Sequence, residues 1–187
     1  MPKNIRMCSL ILGLLFFLAV PRRLNAELLE YISSGDNYLY TFATPEAGWQ
    51  NPNFDDSHWE IGDAPFSNIS SPAGEDFNYG VYWPSNSVLY LRTSFDMGTP
   101  TDMTASIKID NRFDMWINGT YIWGAKSDRF TWTWQYIFTI GAEVFRPGRN
   151  VIAIKLEDYG DLTAFDMTLS PAGGPTDISL RMDRGKK

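Results

Sequence analysis

The chain is poor in the residues that build most catalytic and metal centres. Its 187 residues include one cysteine and one histidine, too few for the usual zinc sites, which take three or four such ligands. His58 sits between Ser57 and Trp59. Adjacent residues do not reach the geometry of a Ser–His–acid triad without strain, so His58 reads as a structural or surface residue. Basic charge is also scarce: 16 Lys and Arg face 22 Asp and Glu, for a net charge of −6. A chain this acidic has no electrostatic footprint for phosphate backbones, which sets nucleic acid aside. Long apolar runs are missing too. The stretch from Cys8 to Val20 is shorter than the roughly 20 residues that a membrane-spanning helix needs.

That stretch follows Lys3 and Arg6 and precedes Leu24-Asn25-Ala26. A positive start, a short apolar run and a small residue at its end predict a secretory signal over 1–26, cleaved near Ala26. Pro21-Arg22-Arg23 is unusual before a cleavage point, and an uncleaved anchor is the alternative. Cleavage would release a secreted chain without a membrane span and would remove Cys8, leaving no disulfide or thiol. It would also remove Lys3, Arg6, Arg22 and Arg23 but no acidic residue, making the remainder more acidic still. About 160 residues then remain, enough to bury a core without disulfides. One domain is expected over 27–171. The basic segment 172–187, opened by Ala172-Gly173-Gly174-Pro175, reads as a flexible tail or linker stub.

Aromatic residues are abundant, with 7 Trp, 9 Tyr and 12 Phe, and they favour strands. Alternation of period two recurs while long helical periodicity is absent. Strands are predicted at Tyr38 to Ala43, Val88 to Phe95, Met103 to Ile109, Phe113 to Ile117, Thr120 to Trp123, Trp134 to Ile140, Val151 to Glu157 and Thr163 to Leu169. Asn118-Gly119 is the strongest short hairpin signal. This pattern predicts one all-β, antiparallel β-sandwich, with jelly-roll order as the expected topology.

Four motifs carry a family resemblance. Trp49 to Trp59 enclose a polar corner, Asn51-Pro52-Asn53-Phe54-Asp55-Asp56-Ser57, whose large rings should anchor it in a core. Leu89-Tyr90-Leu91-Arg92-Thr93-Ser94-Phe95 forms a second motif. Ile109-Asp110-Asn111-Arg112-Phe113-Asp114-Met115-Trp116-Ile117-Asn118-Gly119 is the third, and Phe145-Arg146-Pro147-Gly148-Arg149-Asn150-Val151-Ile152-Ala153-Ile154 the fourth. In this order they resemble the galactose-binding-like β-sandwich modules, among them the N-terminal sugar-binding domain of β-galactosidase-type glycoside hydrolases. The resemblance implies a jelly-roll sandwich that binds carbohydrate. Most of the matched residues have plain structural duties in turns and buried strands, and ligand contacts in such modules sit on loops.

Candidate ligand residues therefore come from two loop groups. Asp76, Tyr79, Tyr82 and Trp83 lie in the loop from Ile61 to Ser87, and Trp123, Arg129 and Trp132 lie in a turn-rich segment. Ring packing beneath the loops is the competing reading for each tryptophan. Trp116 and Tyr121 are placed to pair across the hairpin. Asp158 and Asp161 are the candidates for an oxygen-rich calcium site, although no cofactor is required by the reading. Asn68 and Asn118 fit the N-glycosylation pattern of a secreted chain. The paired acids Asp55/Asp56, Glu75/Asp76 and Glu157/Asp158 read as loop groups and turn caps. The expected function is secreted, non-catalytic, lectin-like glycan binding. A protein-interaction or adhesion module of the same fold in a cell-surface assembly is the first alternative, and a small glycoside hydrolase is the second.

Overall fold

Alternation in the sequence becomes a set of ten strands in the computed structural model, which describes residues 30–69, 79–127 and 133–173. The segment 1–26 and most of 172–187 lie outside these residues. The strands are β1 (Asn37–Thr41), β2 (Glu60–Asp63), β3 (Phe66–Ser67), β4 (Val81–Tyr82), β5 (Val88–Met97), β6 (Met103–Ile117), β7 (Thr120–Ser127), β8 (Tyr136–Ile140), β9 (Gly148–Glu157) and β10 (Ala164–Pro171). The only helical turn among the described residues is the short one at Ala142–Val144. Pairing runs β2-β1-β5-β9-β6-β10-β3-β4, with β7 and β8 also on β6. Every pair is antiparallel except β3 with β4. The fold is all-β, with a mixed sheet.

Strand β6 organises the molecule. Its first part, Met103 to Asp110, pairs with β10 and β8, and its second, from Asn111 to Ile117, pairs with β7 and β9. Two wings of sheet thus share one 15-residue strand. The sequence pattern predicted two strands here, Met103 to Ile109 and Phe113 to Ile117, separated by the polar run Asp110-Asn111-Arg112. The polar run is instead held in the ladder: Asp110 lies opposite Ala164 and Asn111 opposite Ser127. Asn111 Oδ1 also accepts the backbone N–H of Tyr159 at 2.8 Å. Polar side chains at this crossing have partners, so the chain has no need to leave the sheet.

Apolar residues at alternate positions of both wings point into one core. Leu89 and Leu91 of β5, Ile107, Ile109, Phe113 and Met115 of β6, Ile154 and Leu156 of β9, and Met167 and Leu169 of β10 are all fully buried in it. Each contributes about 1.5–3 kcal/mol of transfer free energy. Tyr38 of β1 meets Phe66 and Phe165 of the other wing edge-on, with centroids 5.8 and 6.0 Å apart. The two ends of the pairing path also approach each other. Gly62 on β2 lies against the side chains of Val81 and Tyr40, with no space for a Cβ.

A second, smaller core lies on the other face of the β1-β5-β9-β6 wing. Trp49 and Trp59 of the corner cover Tyr90 and Ala153, flanked by Phe54, Trp116, Leu39 and Val88. Trp49 meets Tyr90 and Trp116 edge-on at 5.2 and 5.5 Å. The expected anchoring of the corner by its rings is therefore observed. Ser57 N–H donates to Asp55 Oδ1 at 3.1 Å, as the turn chemistry suggested. Asp56 does something different: it accepts Nε of the buried Arg92 at 2.6 Å. Arg92 Nη1 donates to the carbonyls of Trp49 and Asn51. One guanidinium thus ties the corner to β5.

Candidate functional site

Beyond the corner, the same outer face carries a checkerboard of charge. Arg112 and Asp114 alternate with the buried Phe113 and Met115 on β6, and Lys155 and Glu157 flank Leu156 on β9. Register puts Arg112 opposite Glu157 and Asp114 opposite Lys155. Unlike charges directly across a ladder attract. Arg112 bonds Asp114 at 3.0 Å and lies 4.0 Å from Glu157, while Lys155 donates to Glu157.

Two tyrosines bracket this network. Tyr159 Oη donates to Glu157 Oε2 at 3.0 Å, and Tyr121 Oη donates to Asp114 Oδ1 at 3.1 Å. Both rings are about half exposed, at 49% and 53%. Tyr121 reaches this face because of a bulge. The ladder register shifts between Met115 and Trp116, so that Trp116 opposes Tyr121 while Met115 opposes Trp123. Without that extra residue, Tyr121 and Gly124 would stand on opposite faces. With it, the Tyr121 hydroxyl lies over Gly124, where a Cβ would collide with it and with Asp114. Trp116 stacks edge-on against Tyr121 at 5.4 Å, the cross-hairpin pair expected from the sequence.

The network sets the protonation of its members. The bond from Lys155, opposed by partial burial, holds the Glu157 carboxyl below its usual value. The bond to Glu157 raises Lys155 in turn. Asp114 raises Arg112, and desolvation followed by the bond to Asp114 raises Tyr121. All four groups keep their usual charge states near neutrality. A carboxylate held down in this way is poorly suited to general-acid duty, which needs a raised value. The arrangement places fixed charged donors and acceptors between two half-exposed tyrosines, with Lys126 Nζ over the Tyr159 ring, 5.0 Å from its centroid.

The residues singled out in the sequence are dispersed. Tyr79 and Tyr82 form a ring pair at 6.1 Å, with Tyr82 54% exposed. Trp83, expected at the ligand surface, is instead fully buried, donating its indole N–H to Ser87 Oγ at 3.0 Å, and has no ring face for a ligand. Trp123 is 38% exposed and packs on Phe113, Tyr136 and Phe138, closing the gap between β7 and β8 on the face opposite Tyr121. Asp76, Arg129 and Trp132 lie outside the described residues.

Asp158 and Asp161 share one loop. Asp158 is buried, and its Oδ2 accepts the N–H groups of Asn86 and Gly160 at 2.6 and 2.9 Å. Burial pushes its carboxyl up, with nearby Asp161 adding to the rise. Among the described residues no three His, Cys, Asp or Glu side chains are placed to hold a metal ion. Both candidate glycosylation sites use their amide nitrogens internally. Asn68 Nδ2 donates to Ser85 Oγ and the Asp161 carbonyl, both at 2.7 Å. Asn118 Nδ2 donates to the Val144 carbonyl at 3.0 Å and to Asn150 Oδ1 at 2.8 Å. Arg112, Asp114 and Lys155 are not among the candidate residues, which come from loops, and Glu157 reads as a turn cap in the sequence; together with Tyr121 and Tyr159 they form a platform on this face. Their signal was charge alternating with apolar residues inside two central strands.

No family model and no curated protein matches the sequence. Solved structures do match the fold. A glycosyl hydrolase family 2 (GH2) member from Bacteroides cellulosilyticus superposes with a TM-score of 0.54 at 17% identity, over 76% of this chain and 20% of its own. A GH2 member from Bacteroides cellulosilyticus DSM 14838 gives 0.53 at 17% identity, over 74% and 20%. A beta-glycosidase from Bacteroides vulgatus gives 0.49 at 14% identity, over 72% and 19%. The chain thus spans about a fifth of the length of each of these three. At such identities the first two establish a shared all-β fold. Among the described residues no helix is long and apolar enough to cross a membrane.

Proposed function

We propose that this chain is an exported, non-catalytic carbohydrate-binding module on a galactose-binding-like jelly-roll sandwich. The observation that carries this reading is the platform on β6, β7 and β9. Tyr121 and Tyr159 offer ring faces to the C–H surface of a sugar, while Arg112, Asp114, Lys155 and Glu157 offer donors and acceptors to its hydroxyls. Because these groups already hold one another in place, little side-chain freedom remains to be lost on binding. The fold likeness to parts of glycosyl hydrolases fits a carbohydrate-related role.

A broad glycan array, probed with calcium and then with a chelator, tests the reading. We expect saturable, glycan-selective signal that falls at least about tenfold in the double variant Tyr121→Ala/Tyr159→Ala, with only a small change in melting temperature. Loss of signal in chelator would add calcium to the site. Silence from folded protein would favour a protein-interaction module instead, a reading that exposed Phe42, Ile61 and Tyr82 also fit.

A further inference from the structure

A concavity lies beside the tryptophan corner, on the same outer face as the platform but over β1, β5 and the start of β9. It has a volume of about 360 Å³, within the range of small-molecule sites. Asn37 and Leu39 of β1, Arg92, Thr93 and Ser94 of β5, Arg149 and Val151 of β9, Ile61 of β2 and Asp56 of the corner border it. The ladder brings these residues into neighbouring rows: Leu39 lies opposite Arg92, and Ser94 opposite Val151.

The charge here runs against that of the molecule. In a chain of net charge −6, two guanidiniums and one carboxylate line the pocket. The carboxylate, Asp56, is already engaged by Arg92 Nε at 2.6 Å. Arg92 is 1% exposed, yet its Nη2 is buried without a hydrogen-bond partner. Leaving such a charged donor unpaired is costly, and a negative charge in the pocket beside it would offset part of the penalty. Arg149 is exposed, and its guanidinium forms no ion pair or hydrogen bond among the described residues. Its register partner Asp96 does not line the pocket.

We propose that this pocket binds a sugar acid, with the ligand carboxylate on Arg149 and the buried positive charge of Arg92 beneath it. Guanidinium presents paired N–H donors that match a carboxylate. Hydroxyls of the ring find Asn37, Ser94 and the second oxygen of Asp56, and its C–H face finds Leu39, Val151 and Ile61. The platform has balanced charge and the pocket has a positive surplus, so the two sites select different ligands and this proposal stands apart from the platform reading.

Isothermal titration of the full protein with D-galacturonate, D-galactose and acetate tests it. The expected result is saturable galacturonate binding at least about tenfold tighter than galactose or acetate, weakened by about tenfold or more in Arg149→Met. Tyr121→Ala should leave that binding unchanged. Arg149 is exposed, so its variant should fold normally, and a melting curve confirms this. The proposal falls if galacturonate fails to bind, if galactose or acetate binds as tightly, or if Arg149→Met has no effect while Tyr121→Ala abolishes binding. The last result would place the acid on the platform.

Discussion

Arg92 shows how much one buried side chain can organise. Its Nε holds Asp56, its Nη1 holds two carbonyls of the corner, and its cation lies 5.4 Å from the Phe54 ring centroid. Both members of the ion pair are shielded, at 1% and 19% exposure. The attraction is therefore less screened than at an open surface, and loss of one partner strands the other. Replacing Arg92 with leucine should destabilise the protein by about 3–5 kcal/mol. At this chain length that lowers the melting temperature by roughly 10 °C. Tryptophan fluorescence should report the loss, because Trp49 and Trp59 lie in the corner that would loosen. A change of only a degree or two would mean that ring packing alone holds the corner. The sequence showed Asp56 as one of several turn acids; its pairing with a strand arginine 36 residues away could not be seen from local spacing.

At the level of elements, the hairpin between β6 and β7 was the most legible. Asn118 and Gly119 both take positive φ, 52° and 86°, as a two-residue turn between twisted strands requires. The structure adds a second duty for Asn118. Besides its two donated bonds, its Oδ1 accepts the Val151 N–H at 3.1 Å. Asn118 thus clamps the start of β9 and the turn at Val144. Asn118→Ala should cost about 2–4 kcal/mol, combining left-handed backbone strain with lost bonds, and thermal melts can check this. Asn118→Gly removes the strain but not the lost bonds, so it should fall between wild type and alanine. Equal losses in the two variants would make backbone strain irrelevant. Other elements were harder to read for physical reasons. The loop around Trp83 carries little strand signal among its Gly and Pro residues and reads as a ligand loop, yet it contains the two-residue parallel pairing of β3 and β4. So short a pairing leaves no periodicity, and burial of Trp83 follows from it. Likewise, β6 looked like two strands because its sheet-switching residues are the polar ones that normally mark turns. Strands β5, β9 and β10 were plain, since one face of each is mostly core. The outer platform was not, because a ladder partner must be known before charges on separate strands can be joined.

The whole molecule combines acids shifted in opposite directions, and acid titration should resolve them. Glu157 is held below its usual 4.5 by Lys155, so its stabilisation is present above that value and is lost as pH falls through its folded value. Asp166 is shifted the other way. It is buried on the outer side of β10, where desolvation raises its carboxyl above the usual 3.8 despite a 2.5 Å bond from Ser34 Oγ and Lys108 at 3.9 Å. Between the unfolded value and the raised folded one, the native state binds more protons, so this group adds stability as pH falls toward 4. At neutral pH it is a desolvated charge with one distant cation. Asn in its place keeps an acceptor for the Met167 N–H, which Asp166 Oδ1 now takes at 2.9 Å, and its Nδ2 can donate to Ser34 Oγ where Asp166 Oδ2 now accepts. Asp166→Asn should therefore equal or exceed wild type in stability at pH 7. Its advantage should shrink steadily between pH 7 and 4, as only the wild type gains from protonating this site. Falling net negative charge acts on both proteins alike and drops out of the difference. Urea melts at intervals across that range give the comparison. A difference that stays flat with pH would show that Asp166 titrates as an ordinary solvated carboxyl despite its burial beside Ser34.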